Sequence, residues 1–217
     1  MHVTCRTAKY AVLDDFMNKE CMDAVWDGIQ RSGHSSDMIT LSWSRIWRWS
    51  GQPPVSGPEH LFSKSPFHNH FDIVAACFLD VANDLIDLIG PTWSDLRMHS
   101  QFGGRGVKTA WHLDSKNVGA FSYYPHPRWG LNWGGELMIA NEPSERVGMP
   151  TSRKMEYEWE QNHLMKHGAG VYIAPLPNRC VVMAPNLFHS VARIDPDAGD
   201  AIRCCVVGFL QPEKEKP

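Results

Sequence analysis

The sequence predicts an α+β, mainly β protein in which N-terminal helices support an antiparallel barrel or jelly roll. Two observations carry this. The first third holds two stretches with apolar residues at helical spacing. From Trp93 onward the texture changes to short apolar runs bounded by Gly, Pro, Asn or Asp, the pattern of an antiparallel β-core. With 217 residues, 43% hydrophobic and 21% charged, one domain with one sizeable core is expected over 1–217. Residues 1–92 form its helical and extended support and 93–211 its β-core.

In chain order, the first helix is expected over 14–29, with Phe16, Met17, Cys21, Val25 and Trp26 on one face and a stop at Arg31-Ser32-Gly33. Residues 38–49 read as extended and 51–58 as a Pro/Gly loop. The second helix is expected over 72–89, ended by Gly90-Pro91. Strands follow at 96–102, 120–124, 136–140, 170–174, 180–184 and 201–210. The polar stretch 141–168 interrupts them as an insertion, either a lid or an ordinary surface excursion.

Composition narrows the function. A formal charge of −3 gives no reason to expect nucleic acid or an anionic membrane as partner. No apolar run reaches 18 residues, so no membrane span is expected. The opening MHVTCRTAKY is too polar for a secretory leader. Six cysteines without a CxxC pair argue against a disulfide framework or a zinc knot, and fit reduced thiols in the cytoplasm.

The chemical signal starts at Trp111-His112-Leu113-Asp114. On a strand, residues i and i+2 share a face, so His112 and Asp114 can converge on one ion. With 11 histidines in the chain, such a pair alone means little, and a second occurs at His70-Phe71-Asp72. That one opens the expected second helix, where Asn69 can cap and positions i and i+2 diverge, so it is read as structural. The first pair has a distant partner: the strand ending at Ala184-Pro185 is followed by a turn and His189. Two histidines and one carboxylate on one side of an ion leave positions open, the arrangement suited to iron(II) and dioxygen.

Downstream, Arg203, Cys205, Val207 and Phe209 share one face of the last strand. If that face points inward, a guanidinium among apolar neighbours requires an anion and suits a carboxylate. If it points outward, Ile202, Cys204 and Val206 line the core instead. Arg193 is a competitor for the same anion.

Together these residues resemble the prolyl-hydroxylase-like branch of the Fe(II)/2-oxoglutarate oxygenases over roughly residues 96–210. His112-Leu113-Asp114 resembles the family's His-x-Asp. Phe121 to Trp129 resembles its strand with paired tyrosines and a following tryptophan, and Gly134-Gly135-Glu136-Leu137 its Gly-Gly-x-Leu turn. The approach 179–191 is similar to its route to the distal histidine, and Arg203 to its cosubstrate-binding residue. The resemblance implies a double-stranded β-helix, a jelly-roll and cupin-like core. It implies His112, Asp114 and His189 as iron(II) ligands, and Arg203 with Tyr124 as the grip on 2-oxoglutarate. Tyr124 has an alternative role as a core aromatic with its hydroxyl bonded elsewhere.

The implied activity is dioxygen-dependent hydroxylation, or another oxidation, of a C–H bond, with release of succinate and CO2. The expected substrate is a small metabolite or amino-acid-like molecule, with a peptidyl, prolyl-type side chain as alternative. His126, Arg128, Trp129 and Trp133 are candidates for the substrate rim. Trp43, Trp47 and Trp49 form either an aromatic binding face with Arg45 and Arg48 or a wall of the core. A cupin-like metalloenzyme without 2-oxoglutarate, which leaves Arg203 without a task, and a non-catalytic metal or small-ligand binder, which predicts no visible charge-transfer band with Fe(II) and 2-oxoglutarate in the absence of oxygen, are the competing classes. Oligomeric state is not legible in these residues.

Overall fold

A computed structural model describes residues 1–36, 47–62, 69–114, 117–141 and 170–213. In chain order these form β1 (His2–Arg6), β2 (Tyr10–Asp14), α1 (Lys19–Arg31), β3 (Trp47–Arg48), β4 (Val55–Ser56), β5 (His60–Phe62) and α2 (His70–Ala82). A 3₁₀ turn, Asn83–Leu85, leads into the short α3 (Ile86–Ile89). The β-core follows as β6 (Asp95–Gly103), β7 (Lys108–His112), β8 (Gly119–Tyr123), β9 (Leu137–Ala140), β10 (Gly170–Ile173), β11 (Cys180–Met183), β12 (His189–Val191) and β13 (Arg203–Gln211).

Two antiparallel sheets result. The larger runs β1-β2-β11-β8-β13-β6-β4, with β5 also paired to β6; the smaller runs β10-β9-β12-β7-β3. From β6 to β13 the chain passes back and forth between them, which is the winding of a jelly roll. At the outer edge, β1 is exposed throughout and its pairing with β2 slips at a bulge between Val3 and Cys5. Among the described residues no helix is long and apolar enough to cross a membrane.

Strand alternation divides the core into two layers. Phe121, Tyr123, Cys180, Val182, Cys204, Val206 and Leu210 face away from the small sheet and pack against Val25 and Ile29 of α1 and Val74 and Phe78 of α2. The intervening residues Ala120, Val181, Met183, Cys205 and Phe209 face inward and meet Leu137 and Ile139 of the small sheet. Side chains such as Phe78 and Phe121, both essentially inaccessible, contribute about 1.5–3 kcal/mol each by burial.

The expected strands at 96–102, 120–124, 136–140, 170–174, 180–184 and 201–210 are all present, but the N-terminal reading needs correction. The first helix was expected from residue 14, but Asp14 ends a strand and the helix begins five residues later. Asp14 ends β2 in a two-point ion pair with Arg179 (2.7 and 2.9 Å), and Asp15 takes a positive φ of 49°. The helix starts at Lys19, where the Asn18 side chain accepts from the Cys21 amide at 2.8 Å. Phe16 and Met17 lie in the connection yet are buried, so their apolar character serves the core without belonging to the helix.

The second helix starts earlier than expected, at His70, on a capping box between Asn69 and Asp72, and it breaks at Asn83. Asp72 also binds His60 at 2.9 Å, so His70-Phe71-Asp72 is structural here. In the 51–58 loop, Val55–Ser56 pairs with β6. Of the extended reading at 38–49, Trp47–Arg48 is strand, while 38–46 lies outside the described residues. So does the insertion beyond Asn141, up to residue 169.

Candidate metal centre

β7 and β12 are neighbours in the small sheet, and His112 pairs directly with His189 across them. Their register slips by one before Val191 meets Thr109, so β7 carries an extra residue at this point. Two consequences follow. The Ala110 carbonyl accepts from His112 Nδ1 at 2.9 Å, and the Val191 amide donates to the Thr109 hydroxyl oxygen at 2.7 Å. His189 Nδ1 likewise binds the Leu187 carbonyl at 2.8 Å. With both Nδ1 atoms engaged, both Nε2 atoms are left to face a common point. On the far side of the sheet Trp111 stacks on Phe188, centroids 5.3 Å apart, pinning β7 to β12.

Asp114 lies two residues beyond the end of β7, so it reaches the site from the loop and not from the strand face expected from i, i+2 alternation. Its carboxylate sits 3.9 Å from His112 Nε2 and 3.6 Å from His189 Nε2. The three donor atoms lie within 4.8 Å of one another, a group with metal-ligand spacing among the described residues. Burial pushes His112 down to about 4, helped by the adjacent His189 imidazole and opposed by Asp114. The His112 imidazole is therefore neutral at pH 7, with its Nε2 lone pair available. This donor set fits a ferrous ion held on one face.

Arg203 opens β13 and points inward, 5% exposed. Its Nε donates to the Gly135 carbonyl at 2.9 Å, its Nη2 to the Tyr124 hydroxyl at 3.3 Å, and its guanidinium lies 5.0 Å over the Tyr124 ring. No carboxylate among the described residues pairs with it. Burial raises Tyr124 well above its ordinary value, only partly opposed by Arg203. The phenol keeps its proton, and since its oxygen accepts from Arg203, that proton remains to be donated.

The Gly134-Gly135 turn is what lets this arginine in. Both residues have positive φ, 70° and 74°. A Cβ on Gly135 would lie 2.8 Å from Arg203 Cδ, and one on Gly134 only 2.1 Å from the Arg193 carbonyl oxygen. Arg193 itself is exposed and donates to the Gly106 carbonyl. It does not line the interior, so the competitor for Arg203 is removed.

The four candidate rim residues lie outside the lining of the cavity at the metal ligands. His126 is 1% exposed, with Nε2 2.7 Å from the Pro175 carbonyl and Nδ1 accepting from the Cys204 amide at 3.2 Å. Burial holds it near 4 and neutral, so it staples the loop after β8 to β13. Trp129 is also buried, donates to the Gly134 carbonyl at 2.9 Å and stands edge-on to Trp133 at 5.4 Å. Arg128 lies over Trp133 at 6.0 Å. These four residues form the support behind Arg203; none lines the cavity at the metal ligands.

The cavity at the metal ligands, between the sheets, is lined by His112, Asp114, His189, Arg203 and Ser122, and also by Trp47, Thr109 and Gln101. The three metal-ligand candidates and Arg203 were legible in the sequence. Gln101 on β6 and Thr109 on β7 were not, because a polar residue on a strand gives no sign in the sequence of which face the fold turns inward. Trp47 is buried and lines the cavity, whereas Trp49 is 45% exposed; Trp43 and Arg45 lie outside the described residues.

No protein-family model matches the sequence. No curated protein matches it either. Solved structures match in fold. A prolyl-4-hydroxylase from Pseudomonas putida is 12% identical, with a TM-score of 0.62 over 95% of this chain and 94% of that one. A prolyl hydroxylase from Trichoplax adhaerens, solved with a hypoxia inducible factor oxygen degradation domain peptide fragment, is 14% identical, with a TM-score of 0.60 over 96% and 86%. HygX from Streptomyces hygroscopicus, with nickel and 2-oxoglutarate bound, is 10% identical, with a TM-score of 0.58 over 94% and 83%. At these identities the likeness defines the fold, the double-stranded β-helix of prolyl-hydroxylase-like 2-oxoglutarate oxygenases.

Proposed function

We propose that this chain, as one catalytic domain, is an Fe(II)- and 2-oxoglutarate-dependent dioxygenase that hydroxylates or otherwise oxidises an unactivated C–H bond. For hydroxylation the balance is substrate C–H, dioxygen and 2-oxoglutarate in, and alcohol, succinate and CO2 out. One observation carries the reading. One pocket is lined by both a three-donor metal cluster and a buried guanidinium that has no carboxylate partner among the described residues.

His112, Asp114 and His189 would hold the iron. Arg203 would pair with a 2-oxoglutarate carboxylate, and Tyr124 would donate its hydroxyl to the same group. The Gly135 carbonyl and the Tyr124 oxygen fix the guanidinium before the cosubstrate arrives, which lowers the ordering cost of binding. When bound, iron and 2-oxoglutarate supply dioxygen activation and oxidising power; the chain supplies orientation and a shielded cavity. HygX, which holds nickel and 2-oxoglutarate on the same fold, supports this.

The substrate is a small metabolite or amino-acid-like compound. A peptidyl side chain is the second reading, favoured by the peptide fragment on the Trichoplax enzyme. Six free cysteines suit a reducing compartment, and we place the protein in the cytoplasm.

The test adds Fe(II) and then 2-oxoglutarate to the apoprotein without oxygen. A visible charge-transfer band is expected, followed by succinate formation on admitting air. Asp114→Ala removes both, because two imidazoles alone do not hold the ion. A protein that binds Fe(II) but yields neither band nor succinate belongs to the cupin-like class instead.

A further inference from the structure

The interior of the jelly roll is not uniform. Toward β9 and β11 it is filled by aliphatic side chains, among them Leu137, Ile139, Val181 and Met183. Toward β3, β6 and β7 it is polar. Gln101 and His99 project inward from β6, on the opposite face from Leu96 and Met98, which join the helix-side core. Thr109 on β7 pairs with Trp47 on β3, and Trp47, Thr109 and Gln101 all line the cavity.

Polar side chains in this half are held in defined orientations. Gln101 Nε2 lies 3.0 Å from His99 Nε2. Two nitrogens can hydrogen-bond only if one is an acceptor, and His99 is 9% exposed and stacked at 6.0 Å on Phe209. Its burial favours the neutral ring, pushed down to about 4. So the amide donates to the imidazole, which leaves Gln101 Oε1 as an acceptor to which no described residue donates. Thr109 Oγ1 already accepts from the Val191 amide, which leaves its hydroxyl hydrogen as a donor with no described acceptor. A strand buried for packing alone needs neither group, since burying polar atoms without partners is unfavourable.

We propose that Gln101, held by His99, and Thr109 form a substrate subsite against the Trp47 indole that recognises an uncharged amide, through its N–H to Gln101 Oε1 and its C=O from the Thr109 hydroxyl. A carboxylate offers no donor and an ammonium no acceptor. Among the described lining residues Arg203 is the one cation, already assigned to the cosubstrate, and Asp114 the one carboxylate, assigned to the metal. Among the described residues a charged group in this subsite would therefore find no counterion to offset its desolvation. The chemical class is a carboxamide or a peptide bond, and the inference rests on the proposed function for which bond is then oxidised.

The test uses three probes on one skeleton, phenylacetamide, phenylacetate and phenethylamine, with Zn(II)- and 2-oxoglutarate-loaded protein followed by ligand-observed NMR. Phenylacetamide is expected to bind about tenfold more tightly than either ion, as one or two satisfied hydrogen bonds would give. Gln101→Leu removes that preference, and Gln101→Glu moves it toward phenethylamine. Equal binding of the three probes by the wild type, or an amide preference that survives both substitutions, overturns the subsite. 2-Oxoglutarate binding to the wild type is read in the same samples, and the probes are also run without it. Loss of 2-oxoglutarate binding counts against the proposed function, and loss of amide preference against the subsite.

Discussion

At the scale of single residues, Arg203 is the most constrained side chain of the site. Its guanidinium is buried, fixed by one carbonyl and one phenol, and seated through a turn that excludes any Cβ. Its resemblance-based role was visible in the sequence, but its inward direction was one of two options until its burial and its bonds to Gly135 and Tyr124 resolved it. Truncating one partner of a buried charge pair costs about 2–5 kcal/mol. Arg203→Ala is thus expected to raise the Kd for 2-oxoglutarate at least ~30-fold, measured by titration of the Zn(II)-loaded protein, with metal affinity little changed. Equal weakening of both ligands would place Arg203 in the scaffold of the metal centre instead. His126 shows the limit of reading residues singly. A histidine beside a Gly-Gly turn looks like a rim residue, and only the three-dimensional neighbours, two stretches of backbone distant in sequence, reveal it as a staple.

Among the elements, those with strong local periodicity were legible and those defined by pairing were not. α2 announces itself by its cap and apolar face, and β13 by alternation. β1 and β2 carry no such signature; the helix expected from residue 14 takes in Asp14, the last residue of β2, because buried Phe16 and Met17 fall at helical spacing with the residues of α1. What makes β2 a strand is the ladder with β11 and the Asp14–Arg179 ion pair. Asp14 is held below its ordinary value of 3.8, chiefly by hydrogen bonding to Arg179. A carboxyl with a depressed folded-state value stabilises above its unfolded value and loses that contribution as pH falls through the folded one. The stability difference between wild type and Asp14→Asn, from urea unfolding, is therefore expected to be largest near pH 6–7 and to shrink below about pH 4. A difference constant across that range would mean the pair works by shape alone. The slip between β7 and β12 was likewise invisible in the sequence, although it aims both imidazoles.

For the whole molecule, a metal held at this site would act as a removable cross-link. His112 and His189 are 189 − 112 = 77 residues apart, so an ion shared by them closes most of the β-core into one loop. Ligand binding to the folded state alone stabilises by about 2.7 kcal/mol at 100 times Kd, or about 5–10 °C in Tm for a chain of this size. Zn(II) with 2-oxoglutarate should raise the melting temperature by that amount, EDTA should reverse it, and Asp114→Ala should abolish it. An unchanged Tm in wild type would show that the three donors do not hold the ion. The same long loops explain why fold class was readable from texture while topology was not: sheet order depends on partners scattered from residue 2 to residue 211. Among the described residues the large sheet ends at β1, whose outer edge pairs with no described strand, a rim that would ordinarily invite another chain to dock. The bulge between Val3 and Cys5 interrupts that rim partway along its length, so an incoming strand finds no continuous template and lateral growth of the sheet stops there.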